Sequence, residues 1–263
     1  MQLDESKFEV LNYKLNHSRL FEEMPFSCEN YNYSLTSGET IGPVNTVRDL
    51  GVLLSNDCSW TPHVQKMLEG AKTMAAWVLS VFSNRSPTLM LTLFKTMVRS
   101  KLEYCCPVWN PHKIGDIKAI ESVQRNFTRR IAGCKELDYW ARLKKPGLMS
   151  LQRRRERYII IHTWKIANGE APNDIKMSFK ETSRHGKRAI VPPINKTAQC
   201  SVSSHYENSF GVSATKLWNL LPANVNCQTA LEPFKRALGV FFKSFPDNPP
   251  LDGYASVTNN SLL

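Results

Sequence analysis

Four arginines within five residues, Arg153, Arg154, Arg155 and Arg157, and a spaced row of Lys118, Arg125 and Arg129 are the groups best suited to meet a polyanion. Lys144 and Lys145 lie between them in RLKKPG. A guanidinium or ammonium on a helix face neutralises a phosphate and releases its counterions, and it needs no particular base sequence to do so. The acidic residues are arranged for much less. Holding two Mg²⁺ ions about 4 Å apart takes adjacent or alternating carboxylates on a strand or tight turn. The sequence has no Asp-Asp pair and no D-x-D; Glu22-Glu23 and Asp4-Glu5 read as solvated surface. Gly-rich phosphate loops, G-x-S-x-G and H-E-x-x-H are also missing. Asp247, in PDNPP, is not followed by E-x-K, and His162 falls on an apolar face, as a core histidine does. The seven cysteines are scattered and form no C-x-x-C, whereas a zinc site needs closely spaced thiolates. Reduced, buried thiols are expected instead. On its residues alone the chain is expected to be no enzyme and to hold no metal or cofactor.

The charge is concentrated. The 263 residues carry a formal net charge of +11, and 42% are hydrophobic, a globular composition. Residues 101–170 hold 15 Lys and Arg against 7 Asp and Glu, whereas residues 1–100 hold 9 against 10. An excess gathered in seventy residues suggests a footprint for an anionic partner, nucleic acid or a membrane surface. No apolar run approaches the ~18 residues of a membrane span. The opening MQLDESKFEV has neither the basic nor the apolar part of a secretory signal. An intracellular protein, nuclear or cytoplasmic, neither membrane-bound nor secreted, is the expectation.

These groups need elements to carry them. Residues 1–58 read as strands: KFEVLNY alternates, Ser37-Gly38 marks a turn, and VRDLGVLLS ends before the turn-like Asn56-Asp57. A short antiparallel meander is the simplest arrangement. From residue 59 to 169 the period is helical. Thr61-Pro62 and Ser86-Pro87 open helices near 62–82 and 87–102, with proline where its missing N–H costs nothing. LEYCCPVWNP closes the second, with its Trp as a core plug. A helix over 114–132 sets Ile117, Ile120, Gln124, Phe127 and Ile131 on one face and Lys118, Ser122, Arg125 and Arg129 on another. A helix over 148–168 ends at Gly169 and buries Leu148, Leu151, Tyr158, Ile159, His162 and Ile166. Arg153, Arg154 and Arg157 are expected on its opposite side. Arg155 falls within the apolar face and needs a carboxylate or an exit. Residues 170–203 lack periodicity and read as a linker or long loop. Two more helices, about 206–221 and 231–245, make up a C-terminal segment over 204–245, and 246–263 reads as a frayed tail. The expected fold is α+β, mainly α.

In order, KFEVLNY, RDLGVLLSND, LTLFKTMVRSKLEYCCPVWNP, GDIKAIESVQRNFTRRIAG and YWARLKKPGLMSLQRRRERYIIIHTWKIANGEAPN resemble the part of LINE-type, jockey-like non-LTR retrotransposon reverse transcriptases that follows the catalytic aspartates. SFGVSATKLWNLLP and FPDNPPLDGYAS resemble that family's C-terminal end. The likeness implies that 1–58 is the end of a palm with its hairpin and 59–169 a thumb-like helical bundle. The family's Y/F-x-D-D aspartate pair, which uses Mg²⁺, would lie before residue 1, so no catalytic residue carries over. A thumb's role implies RNA, DNA or an RNA–DNA hybrid as partner, together with a palm and fingers outside this chain. The implied binding residues are Lys118, Arg125, Arg129, Lys144, Lys145, Arg153, Arg154 and Arg157. Two other readings stay open: a host-recruited protein-interaction module derived from such an element, and a chain active only beside a separate palm.

Overall fold

A computed structural model describes residues 7–13, 33–34, 38–182, 186–192 and 206–250. The chain divides into two compact units, one of residues 1–63 with 194–207, the other of residues 64–193 with 208–263.

In the first unit the strands are short and paired two by two. β1 (Val10–Leu11) runs parallel to β4 (Pro43–Val44); β2 (Tyr33–Ser34) is antiparallel to β3 (Thr40–Ile41). β5 (Thr46–Asp49) and β6 (Val52–Ser55) form an antiparallel hairpin. Its two turn residues, Leu50 and Gly51, both have positive φ, 44° and 87°. That turn twists with the strands, but it puts Leu50 in a conformation suited to glycine or asparagine. Asp57 Oδ1 accepts from Ser55 Oγ and from Ser59 N, which closes the turn after β6. The expectation of short antiparallel pairing holds for two of the three pairs; β1–β4 is parallel.

The second unit is mostly helical. α1 (Thr61–Val81) buries Val64, Leu68, Ala71, Ala75 and Val78, a stripe at spacings of three and four. The helix read over 87–102 is α2 (Pro87–Leu93), a π turn (Phe94–Val98) and α3 (Arg99–Glu103). Its buried residues, Met90, Phe94, Val98 and Leu102, recur every four. On an α-helix a spacing of four drifts by roughly 40° per step. The wider π turn absorbs that drift and keeps all four on the core.

α4 (Cys106–Trp109) follows a left-handed Cys105 with φ of 50°. Trp109 is fully buried and donates to the Tyr104 carbonyl at 2.6 Å, the core plug expected. α5 (Ile114–Thr128) buries the expected face, and Phe127 packs on Phe94 with ring centroids 5.0 Å apart. α6 (Tyr139–Lys144) has no counterpart in the sequence reading; Asp138 caps it by accepting from Ala141 N at 2.8 Å. α7 (Leu151–Ala167) is capped by Ser150, which accepts from Arg153 N, and ends before Gly169 at φ of 73°.

The stretch 170–203, read as a linker, contains a hairpin of β7 (Ser178–Thr182) and β8 (Gly186–Ile190). Its buried positions on β8 are Gly186 and Ala189, too small to register as an apolar period. The edge of β8 is completed by side chains. Asn219 bonds both the N–H and C=O of Ala189, at 2.9 and 3.0 Å, and Asn226 bonds both groups of Lys187, each at 3.2 Å. A primary amide presents the same donor and acceptor as a strand, so two asparagines substitute for a third strand.

α8 (Phe210–Asn219), α9 (Ala223–Asn226) and α10 (Leu231–Lys243) complete the unit. With the end of α7 they enclose a core of Ile160, Trp164, Trp218, Phe234 and Leu238. Trp164 stacks on Phe234 with centroids 5.6 Å apart, and its indole N–H donates to the Gln228 carbonyl at 2.9 Å. The expected frayed tail is corrected over 246–250. Asp247 Oδ2 accepts from Ser150 N at 2.7 Å, and Arg153 Nη2 donates to the Pro246 carbonyl at 3.1 Å. Pro249 and Pro250 are buried. Residues 251–263 lie outside the described residues.

Trp164→Ala removes a fully buried ring and an indole bond together. The expected cost is about 3–5 kcal/mol, read as a lower urea midpoint with an unchanged m-value.

Candidate nucleic-acid interface

The basic surface rests on a buried polar cluster that joins α5, α6 and α7. Glu121 on α5 is 1% exposed. One of its oxygens accepts from the Tyr139 hydroxyl on α6, the other from Leu151 N at the start of α7, at 3.0 Å. Gln124, one turn further along α5, donates to Tyr139 Oη at 3.0 Å and to the Met149 carbonyl at 3.1 Å. Burial pushes the Glu121 carboxyl up to about 7; the Tyr139 hydroxyl, the Arg155 charge and the Leu151 N–H pull it down against that, while Asp247 adds to the rise.

This cluster sets α6 beside the last turns of α5. Arg142 of α6 is 5% exposed and donates from Nη1 to the Arg125 carbonyl at 3.1 Å. Its guanidinium lies over the Tyr139 ring, 5.6 Å from the centroid. Burial lowers the Arg142 pKa; Tyr139 opposes this, and the charges of Arg125 and Arg129 lower it further. Arg142 is thus bonded to the backbone of α5 at Arg125 and lies within electrostatic reach of the Arg125 and Arg129 charges. Lys145 Nζ donates to the Gly133 carbonyl at 2.9 Å and closes the loop between the helices. Arg129, Lys144 and Lys145 are exposed; Arg125 and Lys118 are half-buried. Among the described residues no carboxylate pairs with Arg125, Arg129, Lys144 or Lys145. Lys118 stands seven residues before Arg125, about 10 Å along the helix.

The α7 arginines are placed otherwise, and their expected position opposite the apolar face is corrected. Arg153 is 3% exposed; besides its bond to the Pro246 carbonyl, its Nε lies 3.8 Å from Glu156 and its guanidinium covers the Phe242 ring. Arg154 makes a two-pronged pair with Glu103 and also donates to Tyr158 Oη at 3.1 Å. Glu103 is shared with Arg99, at 3.7 Å. Arg157 donates to the Lys235 carbonyl at 3.4 Å. The reason is that α7 packs against α4, α5 and α8 and has no free side on which to place charge. Arg155, read as a problem within the apolar face, is 1% exposed, donates from Nε to Asn110 Oδ1 at 3.0 Å, and is favoured electrostatically by Glu121 foremost. Burial lowers its pKa against that attraction.

Of the expected binding residues, the structure gathers Arg125, Arg129, Lys144 and Lys145, leaves Lys118 further up α5, and ties Arg153, Arg154 and Arg157 to other parts of the second unit. Sequence reasoning missed Arg142, which was not singled out because α6 was not seen. The signal was available: Asp138 directly before YWARL is a cap before an apolar turn. Among the described residues no group of three His, Cys, Asp or Glu could hold a metal ion, and no helix is long and apolar enough to cross a membrane.

A buried polar frame thus carries a cluster of cations at the end of α5 and on α6. Comparison with known proteins gives a partial relation. Over 149 residues, 55% of this chain, the sequence is 30% identical to a probable RNA-directed DNA polymerase from transposon X-element of Drosophila melanogaster. Over 129 residues it is 25% identical to an uncharacterized protein of Caenorhabditis elegans. The matched stretches amount to 13% of the fly polymerase and 65% of the worm protein, so the chain spans less than two thirds of either. No protein-family profile and no solved structure matches the chain. The fly match supports a region related to non-LTR retrotransposon reverse transcriptases.

The raised Glu121 pKa has a stability consequence. The unfolded carboxyl titrates near 4.3, the folded one near 7, so the folded state binds the extra proton between these values. Stability from this group is full below about pH 4.3 and is lost as pH rises through 7, by on the order of 3 kcal/mol. Glu121→Gln, measured by urea midpoints at pH 5 and pH 8, is expected to remove most of that pH dependence.

Proposed function

We propose that this chain is a post-catalytic part of a non-LTR retrotransposon reverse transcriptase, and that the end of α5 together with α6 binds the sugar–phosphate backbone of a nucleic acid. The single observation that carries the reading is the placement of Arg142 within electrostatic reach of Arg125 and Arg129, flanked by Lys144 and Lys145, with no carboxylate pairing to them among the described residues. The ordered motifs resembling a thumb region and the partial match to a transposon polymerase support it. The partner is RNA, DNA or their hybrid, read by backbone rather than base, since cations at the mouth of a helix pair offer no base-specific hydrogen-bond pattern.

On this reading the chain alone does not polymerise. Its sequence contains neither an Asp-Asp pair nor D-x-D, and a lone carboxylate cannot hold two Mg²⁺ ions in the required geometry. Incubated with primer, template and Mg²⁺ or Mn²⁺, the purified chain is expected to extend nothing. Template-dependent incorporation lost on changing one of its own carboxylates would refute this.

Binding is tested by fluorescence anisotropy on single strands, duplexes and hybrids across a salt series. The triple change Arg125→Ala, Arg129→Ala, Lys144→Ala is expected to weaken all bound forms similarly and to flatten the log–log salt slope on duplex DNA by up to about 2.7, at ~0.9 per lost phosphate contact. Arg154→Ala, which breaks the pair with Glu103, is expected to lower stability and leave the slope unchanged. An unaltered slope in the triple variant would reduce the cluster to a solvated surface.

A further inference from the structure

Asp138 and Ser150 each cap the helix they precede, but Ser86, in the same position before α2, does not. Its hydroxyl makes no hydrogen bond among the described residues. Only its backbone is engaged: Ser86 N donates to Asn84 Oδ1 at 2.9 Å, and its carbonyl accepts from Met90 N at 3.0 Å. Residues 82–86 belong to no helix or strand, and Ser83, Asn84, Pro87 and Thr88 are exposed around the half-buried Ser86. The backbone at Ser86 is extended, with φ of −57° and ψ of 139°, as the proline after it requires. An unbonded hydroxyl on an extended loop is the form in which a protein kinase takes its acceptor. Pro87 adds a selection, because it has no N–H and proline-directed kinases favour a residue that needs no partner there. The sequence has one other such dipeptide, Thr61-Pro62, at the start of α1.

The loop lies against the end of α5. The Arg85 carbonyl accepts from Ala132 N at 2.9 Å. That bond places the Cα atoms of Ser86 and Ala132 within roughly 7 Å of each other. Lys145 Nζ reaches the same turn, donating to the Gly133 carbonyl at 2.9 Å. Arg129 and Arg130 precede the turn, and both are exposed, as is Lys145. Glu136 is an exposed acid beyond it, beside the exposed Lys135. The Arg85 guanidinium is turned elsewhere, to the Leu79 carbonyl. A charge on Ser86 therefore stands one short turn from three exposed cations, and charges closer than about 8 Å are not fully screened at physiological salt.

We propose that Ser86 is the acceptor of a proline-directed serine/threonine kinase, and that its phosphate settles on Arg129, Arg130 and Lys145 and displaces a nucleic acid from them. In the transfer, Ser86 Oγ attacks the γ-phosphorus of a nucleoside triphosphate held by the kinase. The bond to the β-phosphate oxygen breaks, the nucleoside diphosphate leaves, and the hydroxyl proton passes to a carboxylate of the kinase. The product carries about −1.5 to −2 charge and strong acceptor oxygens, enough to pair with two of these cations. Being tethered, it competes with a backbone phosphate at an effective concentration on the order of millimolar. The displacement rests on the nucleic-acid reading of this surface; the acceptor site and the docking of its phosphate do not.

The experiment uses the whole chain, unmodified or with phosphoserine genetically encoded at position 86. Incubated with a purified proline-directed kinase and labelled ATP, the unmodified chain is expected to take label on Ser86. Ser86→Ala is expected to lose that label and, giving up no cap bond, to keep the parent's urea midpoint. In the salt series the phosphorylated chain is expected to bind duplex DNA at least roughly tenfold more weakly, with a slope flatter by about 1.8, two contacts at ~0.9 each. In a phosphorus NMR titration the phosphoserine is expected to lose its second proton below the usual value of about 6, and Arg130→Ala with Lys145→Ala to restore it. Absence of label on Ser86, or an ordinary phosphorus titration, overturns the proposal. A parent that binds and a phosphorylated chain that binds equally well overturn the displacement. A parent that binds no nucleic acid overturns the surface reading and the displacement with it, and the labelling and phosphorus titration then decide the modification by themselves.

Discussion

A carboxylate sealed from water at Glu121 holds α5, α6 and the first turn of α7 in one arrangement. It accepts from a side chain of α6 and from the backbone of α7, while Gln124 bonds the same tyrosine and the chain just before α7. A buried acid satisfied in this way costs desolvation, and its bonds are strong only in one geometry. α6 is six residues long, too short to be stable by its own helical hydrogen bonds. Its position next to α5 therefore depends on Tyr139 finding Glu121. That contact, with the Gln124 bond to the same tyrosine and the Arg142 bond to the Arg125 carbonyl, sets Arg142 against the end of α5.

α7 shows the other way of handling charge. Its arginines pack against other elements, and three are answered locally, Arg154 by Glu103, Arg153 by Glu156 and a carbonyl of the C-terminal segment, Arg157 by a carbonyl of α10, while the buried Arg155 bonds Asn110 through Nε. Arginine suits this because its planar fork can bond in several directions while its stem packs on rings, as Arg153 does on Phe242. The run is thus tied into the framework of the second unit, and Arg153 with Ser150 holds the chain at Pro246 and Asp247.

Much of the fold was legible because its signals are local. Four helices of the second unit follow from spacing and from Pro-containing start signals, and every residue read onto the buried face of α5 is buried, although Glu121, Val123 and Thr128 are buried as well and were not read there. What escaped had no local signal or had the wrong one. The β7–β8 hairpin buries glycine and alanine and is completed by Asn219 and Asn226, thirty and thirty-nine residues from their partners. The π turn is invisible to a scheme that treats spacings of three and four alike. The direction of the α7 arginines is set by what packs around the helix, and a helical wheel of α7 alone contains none of that. The candidate site was half legible for the same reason: the α5 stripe is local, whereas its assembly with Arg142 and Lys145 is tertiary.

The two treatments of charge add up to a field. Seven carboxylates lie within residues 101–170, and three of them, Glu103, Glu121 and Glu156, are tied to the α7 arginines or buried outright. A fourth, Asp138, faces the backbone N–H groups of α6 as its cap. Four of the seven acids are thus held inside or occupied, while Glu136 and Glu170 are exposed, and the end of α5 carries cations that raise one another's free energy. Such repulsion is weak across solvent at physiological salt, where screening acts within about 8 Å, but Arg142 is buried against the pair and feels it through protein. On the proposed reading, an arriving phosphate relieves that repulsion as well as adding its own attraction. Scattered charges of both signs would serve solubility equally well, whereas like charges set side by side are what a sugar–phosphate backbone would meet on that reading.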